Sequence, residues 1–176
     1  MPTIVSHAVP ILASRFAMKR VFPVRLFWLA LFCAMLPDLD VIGFRFGVQY
    51  ADWLGHRGFS HSLAFAAFCA GLAAWAAPAL RCRRTLAAAV VFAAVACHIL
   101  LDALTSGGLG VAALWPFSNE RFFFPWRPIR VSPFGLRAFL SARGLAVILS
   151  ELLWVWLPCF ALALLVRKKR ARRAGG

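Results

Sequence analysis

Acidic residues are scarce in this sequence: six Asp and Glu stand among 176 residues. Histidine is scarcer, with four. The five cysteines, Cys33, Cys69, Cys82, Cys97 and Cys159, include no CxxC pair, and four of them lie inside apolar runs. That placement excludes a zinc knuckle or a disulfide framework and makes them small core residues. The first segment also lacks the early positive charge of a secretory signal peptide. Its basic residues, Arg15, Lys19 and Arg20, follow the apolar stretch instead of preceding it.

Apolar residues are what the chain has in excess. They make up 62% of it, with a mean hydropathy of +0.79, against roughly 45–50% in a soluble domain. The expected class is all-α: a polytopic membrane bundle of about five helices forming one domain. The net charge of +14 would point to nucleic acid in a soluble protein. Here the Lys and Arg residues fall between or after apolar runs, where they set topology and meet anionic lipid. No nucleic-acid partner is expected, since a DNA-associated reading would rest on charge alone.

Five segments follow from the apolar runs and their breaks. The first, about Ile4 to Met18, carries His7 near its start and has Ser6 as a candidate cap. The second runs through Leu26–Leu36 and should bend or stop at Pro37, which disfavours helix before it and cannot continue the hydrogen-bond ladder. The third, from Ser60 to Leu80, and the fourth, from Thr85 to Leu104, are joined by the basic turn Arg81–Arg84. So short a turn makes them antiparallel neighbours. The fifth runs from Gly144 to Val166, and six positive charges follow in Arg167–Arg173. The domain division is therefore 1–166 in the membrane and 167–176 as a basic cytoplasmic tail that meets anionic lipid.

Alternating five helices with the tail inside puts 13 Lys and Arg on the cytoplasmic side and seven on the other, as the positive-inside tendency requires. This orientation, in an inner or plasma membrane, brings His7, Asp38, Asp40, His56, His61 and Asp102 to the outer face without adjustment. Imidazoles and carboxylates are costly near a bilayer, so a chain that keeps them there is expected to use them. His98 and Asp102, four residues apart, share one helix face. That spacing suits two ligands of one ion, a carboxylate bridging two ions, or simply a hydrogen-bonded pair. His56 and His61 fit a loop residue and a first-turn residue. Asp38 and Asp40 can point one way only on broken backbone, which Pro37 encourages. Nitrogen and carboxylate donors without thiolate suit zinc, manganese or another divalent ion, at one or two per chain. Such a pair activates water and clamps an in-line displacement at phosphorus.

At these residues the chain resembles a known family. Leu36-Pro37-Asp38-Leu39-Asp40, His56-Arg57-Gly58-Phe59-Ser60-His61-Ser62 and His98-Ile99-Leu100-Leu101-Asp102-Ala103-Leu104-Thr105 look like the signatures of the YdjM-like family of inner-membrane-associated metal-dependent hydrolases, described as LexA-regulated or LexA-binding. Leu114-Trp115-Pro116-Phe117-Ser118 also fits. The resemblance implies a membrane-bound hydrolase with a metal site and names no substrate. A looser similarity, to the zinc-dependent phospholipase C and single-strand nuclease superfamily, implies the ligand order His7, Asp38 or Asp40, His56 or His61, then His98 with Asp102. This chain departs from that pattern after Asp102, where no further His occurs, so one or two ions are expected and not three.

Three other features bear on function. Glu151 lies inside the fifth apolar segment, as a candidate base, a partner of the ligands, or a carboxyl paired with Ser150. Arg57 could clamp a phosphate bidentately or pair with Asp52. The stretch Trp115–Phe139 interleaves aromatics, Phe134 among them, with Arg121, Arg127, Arg130 and Arg137, as an interfacial lid or a cover for the bundle end. The expected function is metal-dependent hydrolysis of a phosphoester on a membrane lipid or lipid-linked substrate, with Asp40 or Glu151 as base and Arg57 on the phosphate. The alternative is a non-enzymatic divalent-metal or proton transporter. A transporter should set its polar groups near the midplane, whereas these gather at one face.

Overall fold

In the computed structural model, residues 1–18, 23–133 and 136–174 are described. Lys19 and Arg20 of the charge balance, and Phe134 of the aromatic stretch, lie outside them. The described residues are helical, with no strands; two isolated bridges, Thr105 with Ile129 and Val111 with Phe122, tie down the long loop.

Helix α1 spans Ile4–Ala17 and α2 spans Val24–Met35. At Pro37 the chain does not stop. It tightens into a 3-10 helix, Leu36–Phe46, because proline at its start has no N–H to give and its ring crowds the wider α turn. A single 3-10 turn, Phe59–His61, leads into α3, Leu63–Trp75, capped by Ser62, whose Oγ accepts from the Phe65 N–H at 3.0 Å. The short α4, Ala77–Leu80, ends on Arg81 at φ 56°, and α5 follows over Arg84–Ala103. Beyond the loop lie α6, Leu136–Phe139, and α7, Ala142–Glu151. A π turn, Leu152–Trp156, joins α7 to α8, Leu157–Ala174. Pro158 would drive its ring into the carbonyl one turn back, and the widened π turn relieves that clash. The basic stretch expected as a separate tail continues α8 through Arg173, with no break at residue 166.

Packing is by small residues. Helix α3 lies on α5, α5 on α2, and α1 between α2 and α8. Ala66, Cys69, Ala73 and Ala77 meet Ala87, Val91, Val95 and Ile99 at helical spacing, all buried, which lets the backbones approach closely, as in membrane bundles. The large apolar side chains point the other way: Trp28, Phe32, Phe68, Trp75, Leu157 and Leu165 are all exposed. An apolar exterior of this extent is a surface for lipid, not water. Three helical stretches, Val24–Phe46, Arg84–Ala103 and Ala142–Arg173, are long and apolar enough to cross a membrane. At 14 and 13 residues, α1 and α3 are shorter than the ~20 a full span needs.

Ser6 does not cap α1. Thr3 holds the cap position and its N–H donates to Glu151, whose carboxylate also accepts from Thr3 Oγ1 and Ser6 Oγ, each at 2.6 Å. A carboxylate from α7 thus serves the amide end of α1, where the helix dipole favours negative charge.

Candidate metal centre

The broken helix ends deliver the site. The 3-10 helix after α2 carries Asp38 and Asp40, the turn before α3 carries His61, and the last turns of α5 carry His98 and Asp102. His7 enters from the first turns of α1. His7, His61, His98 and Asp102 are at most 1% exposed, and Asp38 is at 3%.

Two imidazole nitrogens face each other at the centre, His61 Nε2 and His98 Nε2, 3.0 Å apart. His98 Nδ1 lies 2.8 Å from the Ala34 carbonyl oxygen, an acceptor only, so Nδ1 carries the proton and Nε2 presents a lone pair. His61 Nδ1 faces Asp40 Oδ2 at 3.2 Å, and the carboxylate sets its tautomer in the same sense. Two lone pairs directed at one another repel unless a cation or a proton lies between them.

The carboxylates complete the arrangement. Asp38 Oδ1 lies 3.5 Å from His98 Nε2 and 3.8 Å from His61 Nε2, while Asp102 Oδ2 lies 3.3 Å from His61 Nε2. Zinc bonds of ~2.0–2.1 Å in a tetrahedron put neighbouring donors roughly 3.3–3.4 Å apart, so these four side chains fit one ion. The opposite oxygens of the same carboxylates turn toward His7: its Nε2 is 3.6 Å from Asp38 Oδ2 and 3.5 Å from Asp102 Oδ1. Both carboxylates can therefore bridge to a second position beside His7, whose ring stacks on that of His98 at 3.6 Å. His7 Nδ1 and Nε2, both Asp38 oxygens and Asp102 Oδ1 are buried without a hydrogen-bond partner. Orphaned polar atoms of this kind are costly and ask for an explanation, and a divalent ion supplies one.

Behind the first group stands a second. Asp40 accepts from Ser60 Oγ at 2.7 Å, from the Arg57 N–H at 3.2 Å, and pairs with His56 Nδ1 at 2.7 Å. Asp40, His56 and His61 form a further set of potential ligands, and the Asp40 carboxylate orients both imidazoles. Burial opposes a charge on His61, yet Asp102 and Asp40 outweigh it and raise the imidazole pKa to about 9. A proton there takes the place that a metal would fill.

Arg57 is wholly buried at φ 68°, and its partner is Asp102, not Asp52. Its Nε donates to Asp102 Oδ2 at 2.9 Å, Nη1 to the Gly107 carbonyl at 2.9 Å and Nη2 to Thr105 Oγ1 at 2.8 Å. Gly108 must be glycine here: at φ 94° it lies so close that a Cβ would come within 2.9 Å of Arg57 Nη1. Gly58 is equally constrained, since a Cβ would strike the Trp53 carbonyl oxygen. Glu151 stays outside both ligand sets, held at the start of α1 by Thr3 and Ser6 and not by Ser150. The structure thus gathers every candidate metal ligand and sets Glu151 apart. Ser60, Thr105 and the Ala34 carbonyl were not picked out as participants. Ser60 and Thr105 stand inside the motifs already quoted, whereas a backbone carbonyl leaves no mark on a sequence. Arg121 was placed only in the loop, yet it donates to the His56 carbonyl at 2.8 Å and anchors that loop on the site.

Fold and site together define a helical membrane protein with a buried His and Asp cluster able to hold a metal ion. Comparison with known sequences narrows the class. The chain belongs to the YdjM inner membrane protein family, whose model matches residues 1–173. It is 45% identical over 165 residues to the inner membrane protein YbcI of Escherichia coli (strain K12), covering 90% of this chain and 92% of that one. No solved structure matches.

Proposed function

We propose that this chain is a metal-dependent hydrolase of phosphoester bonds in a membrane lipid or lipid-linked substrate. The carrying observation is the convergence of His61 Nε2, His98 Nε2 and two carboxylates at 3.0–3.8 Å, with buried donor atoms left unpaired around them. His61, His98, Asp38 and Asp102 would hold the first ion, and His7 with the far oxygens of both carboxylates a second. Bound there, zinc or manganese supplies Lewis acidity that activates water and polarises a phosphoryl oxygen.

The remaining residues divide the work. Asp40 holds His61 in its tautomer and is itself held by His56 and Ser60. Arg57 fixes Asp102 and offsets its charge, so its role is positioning instead of clamping the phosphate. Glu151 seats α1 and thereby His7. The neighbouring surface suits a head group. A cavity of about 220 Å³ is lined by Trp53, Trp115, Asn119 and Arg121, and Phe117, Phe122, Phe124 and Trp126 of the same long loop are exposed, as side chains at a bilayer interface are. The charge split of 13 to seven favours the outer side of the inner membrane for this face.

The test is metal analysis of the detergent-purified chain, then a panel of phospholipids and isoprenoid phosphates in mixed micelles. Chelation should abolish turnover and added divalent ion restore it, while His98→Ala should lose both metal and turnover. A metal-loaded protein that cleaves nothing on the panel but carries divalent ions across liposomes would make the transporter reading the correct one.

A further inference from the structure

At the other end of α1 from the cluster, two cavities lie next to one another. The first, about 420 Å³, is an apolar groove between α1, α5 and α8, lined by Ala13, Ala17, Leu101, Cys159, Ala163 and Val166 among others. The second, about 570 Å³, is lined by Arg15, Phe16, Arg167 and Arg170. Ala17 and Met18 line both, so the groove and the arginine-lined space border the same end of α1. Among the described residues, no Asp or Glu lines either one.

We infer that these adjoining cavities together bind one anionic phospholipid, with an acyl chain in the groove and the phosphate on Arg167 and Arg170. The shape of the site fits that occupant. On α8 the lining residues Cys159, Ala163, Val166, Arg167 and Arg170 share one helix face, and from Cys159 to Arg170 the axis rises ~16 Å. That is about half of a ~30 Å hydrocarbon core, the depth of one leaflet. Apolar lining gives way to cationic lining where a chain gives way to its head group.

The chemistry disfavours an extended peptide and a free phosphate. The hydroxyl in the groove, that of Ser14, already donates to the Pro10 carbonyl at 2.8 Å. An extended peptide backbone would find no partners there and would bury its polar groups unpaired, and a free phosphate would leave the groove empty. An acyl chain needs no partner. At the head-group end, Arg167 lies over the Phe16 ring at 4.8 Å from its centroid. The ring holds the guanidinium at the cavity by a cation–π contact, and phosphate oxygens are the natural partners for its N–H groups. This site is independent of the metal reading and lies outside its residues.

The experiment is native mass spectrometry of the full chain in mild detergent, titrated with phosphatidylglycerol or phosphatidylcholine of the same chains. Four forms are compared: wild type, Arg167→Gln with Arg170→Gln, Ala17→Trp, and Arg83→Gln with Arg84→Gln as a charge-matched control outside the cavity. Phosphatidylglycerol should be retained in preference to phosphatidylcholine. The Arg167 and Arg170 pair should weaken it about thirtyfold, the control should leave it unchanged, and Ala17→Trp should block it. Helical circular dichroism and monodispersity of each variant report that it is folded. Equal loss in the control, equal binding of both lipids, or full binding to a folded Ala17→Trp protein would overturn the inference. Displacement of the lipid by glycerol phosphate would also overturn it, since the site would then be one for free phosphate.

Discussion

Replacing Arg57 by Met tests the centre at the place where it is most tightly tied. Met keeps an unbranched chain and alters no backbone demand, but it removes a buried charge and three donors at 2.8–2.9 Å. Asp102 loses its cation in a setting where both side chains have no exposed surface. Removing one partner of a buried ion pair costs about 3–5 kcal/mol, because the other charge is left unpaired. At roughly 2–4 °C per kcal/mol for a chain of this size, the metal-free protein should melt about 6–20 °C lower. The assay is the midpoint of monodispersity loss on heating in detergent with chelator, wild type beside Arg57→Met. A second arm adds saturating zinc. With one positive charge fewer, the carboxylate cluster depends more on the ion, so zinc should raise the midpoint of Arg57→Met more than that of wild type. A metal-free Arg57→Met protein melting within about 2 °C of wild type, or a gap that widens with zinc, would refute the account of Arg57 and Asp102.

The other predictions concern protons, ligands and topology. Because the His61 pKa is raised from 6.5 to about 9, its contacts with Asp102 and Asp40 stabilise the metal-free protein fully below pH 6.5, and this contribution fades as pH rises through about 9. A proton and a metal compete for the same nitrogen, so zinc affinity, followed by competition with a chromophoric chelator, should climb between pH 6.5 and 9; a flat profile would contradict it. Metal content should fall in His61→Ala, His98→Ala and Asp102→Ala, and His98→Ala with Asp102→Ala should lose little more than the worse single change, since groups that act as a unit are not additive. Full occupancy in all three single variants would remove the site. In a Cys-free background, a cysteine at Ser118 should react with an impermeant reagent on intact cells and one at Ala171 should not; the reverse pattern inverts the orientation.

Most of the helices were legible because their signals are local. Apolar runs, the basic turn Arg81–Arg84 and the prolines mark them, and α5 begins and ends within a residue of its expected limits. Pro37 was legible as a break but not as a change of helix type. Whether the chain stops or tightens there depends on what receives Asp38, and that is a tertiary fact. The ligands were legible for a related reason. With six acidic residues and four histidines in an apolar chain, each one inside or beside a membrane segment must be accounted for, and few ways of accounting for them exist.

What stayed hidden is which polar residues meet each other, and Glu151 and Arg57 show why. Each was a candidate for chemistry on the same warrant as the ligands: a charge placed where charge is costly. Yet Glu151 serves the cap of α1, accepting from the Thr3 N–H 148 residues away and from the Thr3 and Ser6 hydroxyls, and Arg57 is used up on Asp102, Thr105 and Gly107. A buried charge says that a partner exists; it does not say whether the partner is an ion, a helix end or another side chain. The distinction becomes physical only when the donors are counted. Arg57 makes hydrogen bonds from all three guanidinium nitrogens, and both Glu151 oxygens accept. Asp38, by contrast, is buried with neither oxygen accepting a hydrogen bond, and His7 with neither nitrogen engaged. Among residues that composition alone makes equal, it is this deficit that separates those with work left to do from those already spent on the fold.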